Sequence, residues 1–285
     1  MTKKLPVVGS TAGSTAFCSE KLEGPEGTFL YVDGNGKITR DNGTLLEPKP
    51  NAFSLVQIET CPHSTETCRR SCYVHNLETA QGAVHDLYKH NTAEMKRILA
   101  DRQLADVWAM ILSAWISNNA SGGFRWHVSG DVFSLEYAEW IRDVCRESPQ
   151  VPHWIYTRSF EFLAPLVEVA TWNGGNLAIN LSCDQDNYTE AVAARHTHAK
   201  LTQDRLIETG PRLCYLTVSG VVPKDLHADA VIFPDYNLRP RQFATLAESP
   251  WWDTLGVNEK RMVCPVDAHG KAENRRCGPC DQCLK

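Results

Sequence analysis

No run of this sequence is apolar for long enough to span a bilayer, and the N-terminal MTKKLPVVGSTAGSTAF breaks any leader-like core at Pro6, Gly9 and Gly13. The chain is therefore expected in the cytoplasm, without membrane contact. A phosphate loop, a GxGxxG turn and a hydrolase triad signature are all missing, which sets aside the common nucleotide-binding and hydrolytic chemistries. Neither sign of charge dominates: 29 Lys+Arg against 34 Asp+Glu leave a formal charge of -5, so there is no general attraction to nucleic acid or acidic membranes. The short basic pairs Arg69-Arg70 and Arg275-Arg276 read as solvated surface. Internal repeats and low-complexity segments are also lacking.

What the sequence has in quantity is cysteine, eleven in 285 residues. A reducing compartment keeps thiols free, so this number points to metal ligation rather than disulfides. Seven of the eleven fall in two clusters, and Cys18, Cys145, Cys183 and Cys214 are scattered as small core residues would be. With 42% hydrophobic and 22% charged residues the composition is that of a globular protein, long enough for one large domain or a domain with an appended module.

Residues 1-50 are rich in Gly, Thr and Asn and read as an extension, with a hairpin turned at Asp33 to Lys37 and a second turn at the following DNG. A strand is expected over Phe53 to Glu59, then two helices between Thr79 and Ser117. Further strands are expected at Phe124 to Val128, His153 to Thr157, Leu177 to Ser182, Leu213 to Val218 and Ala230 to Phe233, separated mostly by helices, among them Leu135 to Arg146, Phe160 to Ala170, Tyr188 to Glu208 and Pro240 to Leu246. Six strands alternating with helices predict an α/β fold with a parallel sheet, as an open or partial (βα)6 barrel over residues 51-250. Residues 251-285 form a C-terminal cysteine-rich module, with Trp251-Trp252 as a hydrophobic seam against the barrel.

In such folds the ligand site gathers at the C-terminal ends of the strands. The polar turns there are the loop of Cys61, then Ser129-Gly130-Asp131, Thr157-Arg158-Ser159, Ser182-Cys183-Asp184, Ser219-Gly220 and Asp235-Tyr236-Asn237. Taken singly, the turns at Ser129-Gly130-Asp131 and Thr157-Arg158-Ser159 are also ordinary βα loops with a helix cap at Ser134 or Ser159. Cys61-x6-Cys68-x3-Cys72 supplies three thiolates, one short of a closed tetrahedral site. Three readings stay open: a zinc site completed by His63 or His75, thiols without metal, or an iron–sulfur cluster with one iron left free for an outside ligand. Cys264-x12-Cys277-x2-Cys280-x2-Cys283 can enclose an ion or cluster unaided, and either zinc or a second [4Fe-4S] cluster suits it. His127 is read as a buried histidine or a cavity residue, Cys183 as a packed thiol, and His196-Thr197-His198 as surface.

A cysteine triad after the first strand, a small-Gly-acid turn after the second and six βα units together resemble a radical S-adenosylmethionine (SAM) enzyme. The stretches SLVQIETCPHSTETCRRSCY, WHVSGDVFSLEYAEWI, WIYTRS and LSCD resemble more closely the phage protein family called gene product 88, over about Asn51 to Cys283. The radical SAM resemblance implies a [4Fe-4S] cluster on Cys61, Cys68 and Cys72, with SAM chelating the free iron. It implies that Ser129, Gly130 and Asp131 meet the methionine amino group, that Ser182 lies near the ribose or carboxylate, and that Arg158 pairs with the carboxylate. The implied partners are SAM and a reductase or ferredoxin-like electron donor, in a host cytoplasm if the gene is a phage's. The sequence departs from the usual Cys-x3-Cys-x2-Cys spacing, and Ser71 stands where an aromatic normally precedes the last cysteine. Two alternatives follow: an iron–sulfur enzyme that does not use SAM, or a non-enzymatic metal-stabilised protein binding nucleic acid or a host protein.

Overall fold

In the computed structural model, which describes residues 17–35, 49–80, 82–201, 208–235 and 246–264, the chain opens with a β-hairpin. Strand β1 (Phe17–Glu23) pairs antiparallel with β2 (Phe29–Asn35). The turn between them is Gly24 to Thr28, closed by Gly24 N–H to the Thr28 carbonyl (2.9 Å) and Thr28 N–H to that of Pro25 (3.0 Å). Glu26 and Gly27 take the left-handed conformations this reversal needs. Of the turn expected over Asp33 to Lys37, Asp33 and Gly34 instead lie within β2, opposite Ser19 and Cys18, while Gly36 and Lys37 lie outside the described residues. Aspartate and glycine are turn formers in general, but Asp33 is fully buried here, where its Oδ2 accepts from Ser54 Oγ (3.0 Å) and Tyr88 OH (3.1 Å). Burial pushes its carboxyl up to about 7 against the pull of those hydrogen bonds. The DNG turn lies outside the described residues.

Strand β3 (Ala52–Phe53) is followed by α1 (Glu66–Arg70), α2 (Tyr73–Ala80), α3 (Gly82–Leu99), α4 (Arg102–Asn119) and β4 (Phe124–Trp126). Then come α5 (Leu135–Glu147), β5 (His153–Thr157), α6 (Leu163–Glu168), β6 (Leu177–Cys183) and α7 (Tyr188–His198). A small pair, β7 (Lys200–Leu201) and β8 (Glu208–Thr209), precedes β9 (Arg212–Thr217), β10 (Val231–Pro234), α8 (Pro250–Thr254) and α9 (Val257–Met262). Asp101 breaks α3 from α4 by capping the latter, its Oδ1 accepting from the N–H groups of Gln103 (2.9 Å) and Leu104 (3.2 Å). The helix expected from Tyr188 to Glu208 stops at His198, where Ala199 turns extended. That expected from Phe160 to Ala170 is a 3-10 turn leading into the six-residue α6. The stretch from Pro240 to Thr245 lies outside the described residues.

The fold is mixed α/β, with an eight-stranded sheet in the order β1-β2-β3-β4-β5-β6-β9-β10. β2 joins β3 antiparallel, and from β3 to β10 every pairing is parallel. Each parallel strand lies beside the parallel strand before it, an order in which crossovers of the usual right hand put the connecting helices on one face. The hydrophobic core lies between that face and the helices, with Trp108, Leu112 and Ile116 of α4 and Trp140, Ile141 and Val144 of α5 packing with Phe53, Trp126, Ile155, Leu181 and Leu213 of the strands. Asn91 of α3 ties the hairpin in: its side chain donates to the carbonyls of Tyr31 (2.8 Å) and Ser54 (3.0 Å) and accepts from Tyr31 N–H (2.8 Å). Beyond β10, Val263 bridges Ile232 in parallel register and Cys264 N–H reaches the Ile232 carbonyl at 3.0 Å. Trp251 is buried and donates its indole N–H to the Gly220 carbonyl (2.9 Å), while Trp252 is partly buried. No described helix is long and apolar enough to cross a membrane.

Candidate functional site

The strand expected from Phe53 to Glu59 ends at Phe53, because the chain leaves the sheet to build the cysteine loop. Leu55 N–H still reaches across to the Ser129 carbonyl (3.0 Å), and Val56 N–H is taken by Thr92 Oγ1 (3.0 Å). The next residues turn sharply: Ile58 sits at φ 66°, Cys61 N–H donates to the Ile58 carbonyl (3.1 Å), and Thr60 Oγ1 donates to that of Val56 (2.6 Å). A β-branched residue in the left-handed region is strained, and strain of this kind gathers at functional sites.

Thr65 caps α1, its hydroxyl oxygen accepting from Cys68 N–H at 2.9 Å. Cys72 falls just beyond that short helix and donates its thiol to Gln57 Oε1 (3.3 Å), so it does not continue the helical face of Cys68. Cys61, Cys68 and Cys72 are free thiols, each partly buried. Burial pushes Cys61 up to about 12, and Asp131, Cys68 and Cys72 are near enough to add to that shift. Cys68 is raised as well, first by burial, with the Arg158 cation pulling the other way. Asp131 thus lies near Cys61 and Cys68, and Arg158 near Cys68. Among the described residues, no three His, Cys, Asp or Glu side chains converge closely enough to hold one metal ion. His63 is engaged elsewhere, with Nε2 2.9 Å from Glu161 Oε1, and His75 is exposed.

The turn after β4 locks against this loop. Gly130 has φ +84°, and a Cβ there would stand 2.6 Å from Thr60 Oγ1 and 2.8 Å from Leu55 Cβ, so only glycine allows the close approach. Ser129 Oγ donates to Glu78 Oε1 (2.8 Å), which also accepts from Gln57 N–H (3.2 Å), while Glu78 Oε2 lies 2.8 Å from His85 Nδ1. Asp131 is buried. Its N–H meets the Thr60 carbonyl (3.1 Å), Oδ1 accepts from Val132 N–H (2.7 Å) and Oδ2 from Arg158 N–H (2.8 Å). Burial raises its carboxyl, opposed by these bonds and by one from the Thr157 hydroxyl.

Arg158, after β5, directs Nη1 to Asp184 Oδ2 (2.9 Å) and Asn187 Oδ1 (3.2 Å), and the ion pair is buried on both sides. Asp184 also accepts the Thr65 hydroxyl at 2.6 Å, and Asp186 Oδ2 accepts Thr67 N–H at 3.1 Å. Ser182 stands opposite Cys214 in the sheet, and the alternation of β6 directs it to the face away from Cys183. His127, at φ 63°, is buried with Nε2 2.9 Å from Tyr137 OH, and burial holds its pKa down at about 3, a neutral core imidazole. Cys183 is a buried thiol, pushed up to about 12 by burial. Cys264 is buried against Cys214 and Val231, whereas Cys277, Cys280 and Cys283 lie outside the described residues.

Sequence reasoning gave no role to Thr65, Gln57, Glu78, Asp186 or Asn187. Only Thr65 carries a local signal, a threonine three residues before Cys68 at a helix start. The others act across longer sequence separations, 119 residues in the case of Asp186 and Thr67.

The family model for "Gene product 88" matches residues 29–285. It therefore takes in β2, which the sequence alone had set outside the resemblance and which is a strand of the same sheet. The Gene 88 protein of Mycobacterium phage L5 is 34% identical over 163 residues, covering 54% of this chain and 62% of that protein. The Gene 88 protein of Mycobacterium phage D29 is 32% identical over 163 residues, covering 54% and 61%. The match thus spans under two thirds of each relative's length. No solved structure matches. The match to more than half of its length makes this chain a member of the gene product 88 family.

Proposed function

We propose that this protein is an iron–sulfur protein of radical SAM type, in which Cys61, Cys68 and Cys72 hold a [4Fe-4S] cluster at the C-terminal edge of the parallel sheet. The observation that carries the reading is three free, partly buried thiols on the loop after β3, with Asp131 of the loop after β4 near Cys61 and Cys68 and Arg158 of the loop after β5 near Cys68. The donor set fits the group. A cluster of several irons needs only one thiolate from each of three residues and leaves one iron without a protein ligand, and Cys61, Cys68 and Cys72 are three free, partly buried thiols. A closed zinc site finished by His63 is disfavoured, because that ring is turned to Glu161.

When bound, such a cluster offers an open iron and an electron for the reductive cleavage of SAM. The turn Ser129-Gly130-Asp131 would receive the methionine amino group, with Arg158 and Ser182 toward the carboxylate and ribose. Asp131 already has both oxygens engaged by backbone N–H groups, so it offers only remaining lone pairs. That engagement and the unusual cysteine spacing favour, as a second reading, an iron–sulfur enzyme that does not use SAM. Six parallel strands added in sequence order support a (βα)6 partial barrel. Cys264, with Cys277, Cys280 and Cys283, would hold a second [4Fe-4S] cluster or zinc. The cytoplasm and a reductase or ferredoxin-like electron donor belong to the same proposal.

The test is iron and acid-labile sulfide analysis on protein purified without oxygen, beside a variant with Cys61, Cys68 and Cys72 all changed to Ala. Loss of about four iron and four sulfide in the variant supports the cluster, and anaerobic cleavage of added SAM then separates the two enzymatic readings. Sulfide-free zinc protein, unchanged by the substitutions, would sink both.

A further inference from the structure

The carboxylate of Asp184 is fully buried, and its Oδ2 serves two partners: Arg158 Nη1 at 2.9 Å and the Thr65 hydroxyl at 2.6 Å. That same hydroxyl oxygen caps α1 by accepting Cys68 N–H (2.9 Å). One oxygen atom thus connects the cysteine helix to the guanidinium through a single chain of hydrogen bonds. The rest of the loop after β6 braces it. Asp184 Oδ1 accepts Asp186 N–H (2.9 Å), Asn187 Oδ1 accepts both Asp184 N–H (2.9 Å) and Arg158 Nη1 (3.2 Å), and Asp186 Oδ2 takes Thr67 N–H (3.1 Å). α1 has only five residues, too short to hold its own geometry, and four of its backbone N–H groups lack helical partners at the start.

We propose that Asp184 is the positioning residue of the thiol site, a clamp that holds Cys68 and Arg158 in fixed relation through Thr65 before any group is bound. The inference rests on the reading of the triad as a cluster site. Asp184 touches neither thiol nor ligand; it acts through Thr65 and Arg158. Its consequence is that Cys68 is ordered by the loop after β6, whereas Cys61 and Cys72 are ordered by Ile58 and Gln57 of their own loop.

The experiment compares Thr65→Val, Thr65→Ser and Asp184→Asn. In anaerobic protein stripped of metal, the rates at which iodoacetamide labels Cys61, Cys68 and Cys72 are followed by peptide mass spectrometry. Thr65→Val is expected to raise labelling of Cys68 relative to Cys61 by about fivefold, the local opening that loss of one cap bond produces, and Thr65→Ser to restore the wild-type ratio. Asp184→Asn is expected to raise the Cys68 ratio as Thr65→Val does; if that variant fails to fold, the Val and Ser pair decides. A general loss of stability would raise all three rates together, so the ratio isolates the clamp. An unchanged ratio in Thr65→Val overturns the proposal. In reconstituted protein, Thr65→Val should also shift the electron paramagnetic resonance of the reduced cluster, with Thr65→Ser returning it. Wild-type protein that takes up no iron and sulfide would defeat the cluster reading, while the labelling ratio would still judge the clamp.

Discussion

The buried carboxyl of Asp33 makes a quantitative prediction about stability and pH. Its ordinary value of 3.8 is raised to about 7, because burial outweighs the hydrogen bonds from Ser54 and Tyr88. The folded chain therefore keeps a proton that the unfolded chain has lost, and folding stability contributed by this group is complete below pH 4 and falls as pH rises to 7. The slope is about 1.4 kcal/mol per pH unit, or about 4 kcal/mol over the whole window. Asp33→Asn removes the titration while leaving a side-chain carbonyl to accept from Ser54 and Tyr88. Urea unfolding of both proteins at half-unit steps from pH 4.5 to 7 should show the stability of the wild type, relative to the variant, dropping by about 3 kcal/mol. The variant carries its own constant offset from the new amide, so the slope is the readout. A difference that stays flat across the window would refute the argument, since it would mean that Asp33 ionises in the folded state as easily as in the unfolded one.

Three further outcomes are expected. Ile58→Asn, at an exposed position with φ 66°, should stabilise the fold by about 1 kcal/mol by relieving left-handed strain, measured by urea midpoint. Gly130→Ala should destabilise by more than about 1 kcal/mol, from both its φ of +84° and the collision with Thr60 and Leu55, measured the same way. Leu112→Ala, fully buried in α4, should lower stability by about 2–5 kcal/mol without altering the relative reactivity of the three site thiols.

The parallel strands were legible because His153 to Thr157 and Leu177 to Cys183 are apolar runs bounded by turn residues, and their crossover helices carry helical periodicity. The N-terminal hairpin was misplaced for a local reason: Asp33 and Gly34 look like a turn, and only the tertiary partners Ser54 and Tyr88 make an aspartate tolerable inside a strand. The cysteine loop was visible from composition, and Gly130 from its setting in a strand-end turn. The clamp was not, because Glu78, Asp184 and Asp186 are acidic residues of ordinary appearance whose roles depend on contacts with Ser129, Thr65 and Thr67 far along the chain.

The sequential order of the parallel strands gives the chain a direction of assembly. In the eight-stranded sheet each strand from β4 onward finds its neighbour already made, so that sheet can grow at one edge as the chain is synthesised. The cysteine loop emerges early, but Asp184 follows Thr65 by 119 residues, roughly 6 to 24 s of synthesis at about 5–20 residues per second. Throughout that interval the cysteine loop is held by its own turns, by the helices that follow it and, once β4 is made, by the turn at Ser129 to Asp131, but not by the loop after β6. The hydrogen bond from Thr65 to Asp184 is therefore among the last contacts of the cysteine loop to form, and it forms only once β6 has arrived.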